Sequence, residues 1–158
     1  MIKQLKSSNK RGFTLIELLV VIAIIAILAV VVFVALDPIT RFADARNSRR
    51  FSDVNSILTG IHEYIVDNDG VLPTGLSTSM SETQLGTCGS GGATLCSGAA
   101  AACVDLSTPL VSYLKSIPLD PSDGAAATTG YSVTVNANNI ITVSGCGAEN
   151  SETVEVSR

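Results

Sequence analysis

The sequence predicts an α+β fold in which a long N-terminal α-helix, its first half transmembrane and its second half amphipathic, packs on the small antiparallel β-sheet of a head. Three observations predict it. From Leu18 to Leu36 all 19 side chains are apolar. Phe51, Val54, Leu58, Ile61 and Ile65 then recur at spacings of 3, 4, 3 and 4, which places them on one helix face. Beyond Pro121, the stretches Tyr131 to Val135, Ile140 to Ser144 and Thr153 to Val156 read as strands, with residues 136–139 as a turn between the first two.

The apolar run is long enough to cross a bilayer, because a helix rising about 1.5 Å per residue needs roughly 20 residues to span the hydrocarbon. A cleavable secretory signal has a shorter apolar centre of about 7–15 residues and ends in a small-residue cleavage site. Here the run ends Val34-Ala35-Leu36-Asp37-Pro38 instead. Lys3, Lys6, Lys10 and Arg11 precede it with no acid among them, which predicts a cytoplasmic start and a head outside the cytoplasm. At Asp37-Pro38 the helix is expected to kink, or to end and restart with Asp37 as N-cap and Pro38 in the first turn. Asp67-Asn68-Asp69-Gly70 then reads as its terminator. A rod from Phe13 to about Asp67 would be about 80 Å long.

Residues 75–103 are small, polar and glycine-rich, a composition that stays disordered without cross-links. Ser107-Thr108-Pro109-Leu110 reads as the start of a short helix ending before Pro118. The expected organisation is a basic N-terminal stretch (1–12), a membrane helix (13–36), an amphipathic helix (37–70) and the head (71–158).

After residue 50 only Lys115 and Arg158 oppose eleven acids, which argues against nucleic-acid binding by bulk charge. Cys88, Cys96, Cys103 and Cys146 all fall in the head. An even number outside the cytoplasm favours two disulfides, with three pairings open. No CxxC pair suggests a metal site. His62 reads as a polar flank of the helical stripe. Residues 67–70 resemble the start of a calcium loop, but Thr78 stands where an EF-hand would need its twelfth-position acid. Asp120 and Asp123, in Pro118-Leu119-Asp120-Pro121-Ser122-Asp123-Gly124, are the better calcium candidates, set against a plain turn. Arg41, Arg46, Arg49 and Arg50 suit acids on adjacent subunits, anions or lipid headgroups, or simple solvation. No nucleophile with a base, phosphate loop or catalytic carboxylate pair can be placed, so no enzyme activity or cofactor is expected.

One charge interrupts the apolar segment. In Arg11-Gly12-Phe13-Thr14-Leu15-Ile16-Glu17-Leu18-Leu19, Glu17 sits where an unpaired carboxylate costs about 2.5–3.5 kcal/mol. The stretch KRGFTLIELLVVIAIIAIL resembles the N-terminus of type IV pilins and of the pseudopilins of type II secretion systems. The resemblance implies a pilin-like fold, cleavage by prepilin peptidase after Gly12, and methylation of the new terminal Phe13. It implies that Glu17 neutralises that ammonium, in its own chain or a neighbour's, during assembly. It further implies a polymer with other pilin-like subunits, an inner-membrane assembly platform with its ATPase motor, storage in membrane lipid before assembly, and a surface or periplasm-spanning filament. Val34 departs from the family, where a helix-loosening proline is common; Pro38 follows four residues later. The expected function is a subunit of a type IV pilus-like filament. The alternatives are a pseudopilin, or a single-pass anchored binding protein that does not polymerise.

Overall fold

The computed structural model describes residues 12–158. Lys3, Lys6, Lys10 and Arg11, read above as the basic N-terminal stretch, lie outside them. The chain divides into two compact units between Ile39 and Thr40.

The first unit is dominated by helix α1, Leu15–Leu36. Its 22 residues rise about 33 Å, close to the roughly 30 Å of a hydrocarbon core. No residue of α1 is buried, and every side chain but Glu17 is apolar, so the helix has no polar face to turn to water. Asp37 closes it in a left-handed conformation (φ 37°). Pro38 opens helix α2, Pro38–Asp67, at the position where a missing N–H costs nothing. The break expected at Asp37-Pro38 is present, with Asp37 capping the end of α1.

From Thr40 onward, α2 is the spine of the head. It ends where the terminator was expected. Asp69 and Gly70 take positive φ (54° and 86°), and the Gly70 amide donates back to the Ile65 carbonyl at 2.8 Å. The buried face of α2 carries Ala43, Asn47, Arg50, Val54, Ile57, Leu58, Gly60 and Ile61. Val54, Leu58 and Ile61 occupy the predicted stripe, whereas Phe51 stays 38% exposed and the stripe continues toward the N-terminus through two polar residues.

Four strands follow: β1 (Met80–Gln84), β2 (Tyr131–Val135), β3 (Ile141–Gly145) and β4 (Glu155–Ser157). They form one antiparallel sheet in chain order, β1-β2-β3-β4. The β2–β3 hairpin is set by Asn136, whose side-chain oxygen accepts from the Asn138 and Ile140 amides at 2.8 and 2.9 Å, with Asn139 left-handed (φ 60°). β2 and β3 send Tyr131, Val133, Val135, Ile141 and Val143 into one apolar cluster with Val54, Ile57, Leu58 and Ile61 of α2. Complete burial of those four α2 side chains is worth about 6–12 kcal/mol relative to leaving them in water.

One strand was not foreseen and one expectation needs correction. Within residues 75–103, β1 forms by backbone pairing with β2, across a register shift between Met80 and Thr83. The short helix expected from Ser107 does not form. Successive turns take its place, with the Leu110 amide bonded to Leu106 O at 3.0 Å and the Leu114 amide to Leu110 O at 2.8 Å. Leu106 and Leu110 still reach the core through that spacing.

Candidate functional site

Gly12, Phe13 and Thr14 precede the first turn of α1 in non-helical backbone, so the peptide bond after Gly12 stands clear of the helix. Nothing lies within 4 Å of where a Gly12 Cβ would be, and Phe13 is 83% exposed. Thr14 is the N-cap. Its hydroxyl accepts from the Glu17 amide at 3.3 Å, while Glu17 Oε2 accepts from the Thr14 amide at 2.8 Å and from the Thr14 hydroxyl at 2.7 Å. This reciprocal capping box satisfies two amides that the first helical turn leaves without partners. It also fixes the Glu17 carboxylate beside the helix start, one residue from Phe13. Glu17 Oε1 takes no hydrogen bond among the described residues. Thr14 was missed in the sequence, although the spacing Thr14-Leu15-Ile16-Glu17 is the signal for such a box.

The head contributes a second polar cluster. Arg50, on the buried face of α2, donates all five of its N–H groups. Nε and Nη2 hold Asp120 at 2.6 and 3.1 Å, Nη1 holds Asn47 and Glu149 at 2.9 and 3.0 Å, and Nη2 also reaches Ser122 at 3.0 Å. The Arg50 and Asp120 side chains are 1% and 3% exposed. Gly130 (φ 81°) and Gly147 make the room: a Cβ on Gly130 would lie 2.6 Å from Asp120 Cβ, and one on Gly147 3.0 Å from Asp120 Oδ2. Arg46 grips Glu149 with two bonds of 2.6 Å, and Asn47 bonds the Glu149 backbone and Glu152.

The electrostatics follow the contacts. Burial pushes the Asp120 carboxyl up, but the Arg50 hydrogen bonds, the Ser122 amide and the Arg50 charge outweigh it and hold the group below its ordinary value. The bidentate grip of Arg46, seconded by Arg50, holds Glu149 down to about 2. Tyr131, buried and donating to Asp53 at 2.7 Å, is pushed well above the usual phenol range. The cluster ties α2 to the loop that precedes β2 and to the loop that follows β3.

The calcium candidates share one turn: Asp120 faces Arg50, with Oδ1 also accepting the Ser122 and Asp123 amides at 2.8 and 3.4 Å, whereas Asp123 is exposed. No three His, Cys, Asp or Glu residues among those described are grouped to hold a metal. His62 is half-buried, its Nε2 without a partner. Of the arginines read as one patch, Arg46 and Arg50 pair with acids of the same head, Arg49 stands 3.8 Å from Asp53, and Arg41 is exposed. The cysteines pair Cys88–Cys103 and Cys96–Cys146, and none is free. The second bridge fastens the glycine-rich loop beside the end of β3.

Compared with known families, residues 7–33 match the prokaryotic N-terminal methylation motif. The chain carries the type IV pilin and pseudopilin signature. No curated protein and no solved structure matches it. The signature takes in Gly12, Phe13, Thr14 and Glu17 and runs through most of α1. It implies a structural subunit, processing by prepilin peptidase and assembly with other pilin-like subunits. With α1, long and apolar enough to cross a membrane, it supports anchoring by a single membrane span.

Proposed function

We propose that this chain is a structural subunit of a type IV pilus-like filament. Prepilin peptidase cuts after Gly12, Phe13 is methylated at its new amine, and the mature chain waits in the cytoplasmic membrane with its head outside the cytoplasm. The platform and ATPase motor of the inner membrane then draw α1 out of the lipid and into the filament core. There α1 exchanges lipid contacts for close packing against copies of itself or of related subunits.

One observation carries this reading: a fully apolar helix with no buried residue is headed by a single carboxylate that the Thr14 cap satisfies only in part. A bare carboxylate in an apolar core is costly. The cap offsets some of that cost through Oε2 before assembly. It leaves Oε1 to accept an ammonium, that of the same chain's Phe13 or a neighbour's. Because this contact joins two charges at fixed heights on their helices, it sets the axial register. The two disulfides of the head favour an exposed pilin over a pseudopilin.

Mass spectrometry of the mature protein tests the processing step: the expected chain begins at N-methylated Phe13, and a chain that retains Met1 refutes the proposal. Glu17→Ala is expected to leave processing and membrane insertion intact and to abolish filaments recovered by shearing. Normal filaments from that variant would remove Glu17 from assembly.

A further inference from the structure

The head is strongly acidic after residue 50, and three of its arginines stand against acids of the same head. Arg46 and Arg50 are consumed by Glu149 and Asp120. Lys115, exposed and without a partner among the described residues, lines a cavity of about 720 Å³ together with Asp105 and with Arg49, which stands 3.8 Å from Asp53. Leu110, Val111, Leu114 and Leu119 give that cavity apolar walls, and Val111 is 68% exposed. An apolar cleft with one unpaired cation at its wall fits a segment that carries apolar side chains next to a carboxylate.

The head presents one such segment. At the end of α2, Val66-Asp67-Asn68-Asp69-Gly70-Val71 holds out two valines, 77% and 61% exposed, and Val66 is the most exposed large apolar side chain from Thr40 onward. Tyr113 donates to Asp67 at 3.0 Å, whereas the Asp69 carboxylate has no partner among the described residues. The turn is held by two backbone bonds, Gly70 N to Ile65 O at 2.8 Å and Val71 N to Asn68 O at 3.0 Å, so little freedom remains to be lost on docking.

We propose that this turn of one copy seats in the Lys115 cavity of a second copy, with Val66 and Val71 on the apolar walls and Asp69 paired with Lys115. Turn and cavity are different surfaces, so the contact is heterologous and propagates from copy to copy, where a self-complementary patch would stop at a dimer. The inference rests on the filament reading and supplies the contact between heads that such a filament needs.

The test places a benzophenone-bearing amino acid at Val71 of the full-length chain in cells that assemble it. Irradiation is expected to join two copies through residues 110–119, identified by peptide mass. Asp69→Lys is expected to lower that yield at least tenfold, and adding Lys115→Asp to restore it. Asp69→Asn, which suits the left-handed backbone there, removes the charge with the least disturbance and is expected to reduce the yield as well. Crosslinks from Val71 to another part of the second copy, to a different protein or to lipid would overturn the proposal, as would charge reversal that leaves the yield unchanged. A processed chain recovered in filaments without the Val71 crosslink would overturn the docking alone. A chain that keeps Met1 and forms no filaments would overturn the filament reading.

Discussion

Replacing Arg50 with Ala should do more than weaken the head: it should reverse how the head responds to acid. In the native chain Arg50 and Asp120 are 1% and 3% exposed, and breaking a buried pair from one side typically costs about 3–5 kcal/mol. The upper half of that range applies, because the stranded Asp120 would keep only its bonds from the Ser122 and Asp123 amides, at 2.8 and 3.4 Å. For a head of this size the loss amounts to a fall in Tm on the order of 10–20 °C.

In the native protein, Asp120 lies below its ordinary value and Glu149 is held to about 2. Their contribution is therefore complete above the unfolded carboxylate range near pH 4 and is lost as pH falls toward 2, where the unfolded chain has already taken up its protons. Without Arg50, burial is the main influence left on Asp120 and raises it. The folded form then binds its proton first, and stability increases as pH drops from 7 toward 5. Tyr64, Tyr113 and Tyr131 all lie in the head, so thermal melts of the detergent-solubilised full chain followed by near-ultraviolet circular dichroism report on the head alone. The double variant Arg50→Met/Asp120→Leu should recover most of the loss. A loss below about 1 kcal/mol, or a native-like slope with pH in Arg50→Ala, would refute a stabilising buried pair.

Other perturbations separate the remaining parts. Cys96–Cys146 closes a separation of 50 residues and Cys88–Cys103 one of 15, so on chain entropy alone Cys96→Ser/Cys146→Ser should cost about 4 kcal/mol and Cys88→Ser/Cys103→Ser about 3, measured by urea denaturation. Tyr131 is raised by burial and by Asp53, so its contribution is complete below the unfolded phenol value near pH 10 and is lost above it; ultraviolet titration should show one of the three tyrosines ionising only as the head unfolds. Because Asp120 is engaged by Arg50, exchanging calcium for chelator should leave the Tm of the head unchanged, and a calcium-dependent rise would instead establish a site there.

The features legible in the sequence were those whose cause lies within a few residues. Tyr131 to Val135 alternates and pairs with a second β-rich stretch across an asparagine turn, so β2 and β3 were readable to within a residue. Gly12, Phe13 and Glu17 stand in one short motif. β1 was not readable, because Met80-Ser81-Glu82-Thr83-Gln84 has no apolar alternation and becomes a strand through the backbone of β2. The helix expected after Ser107 had its proline signal, but so few residues cannot hold a helix without help, and the core took Leu106 and Leu110 through turns. The Arg50 cluster gave no local signal at all. Its partners Asp120 and Glu149 lie 70 and 99 residues away, so a buried arginine looked like part of a basic surface until the fold brought them together.

The even apolarity of α1 has a mechanical consequence. A helix with a preferred side must present that side to its neighbours, but beyond its first turn nothing on α1 marks an azimuth, and Glu17 is its one polar side chain. Within a bundle of such helices the apolar length of each subunit can adjust its rotation without breaking a polar bond, while sliding along the axis would separate opposite charges. An assembly built this way would tolerate twist and resist stretch, and its angular order would have to come from the heads.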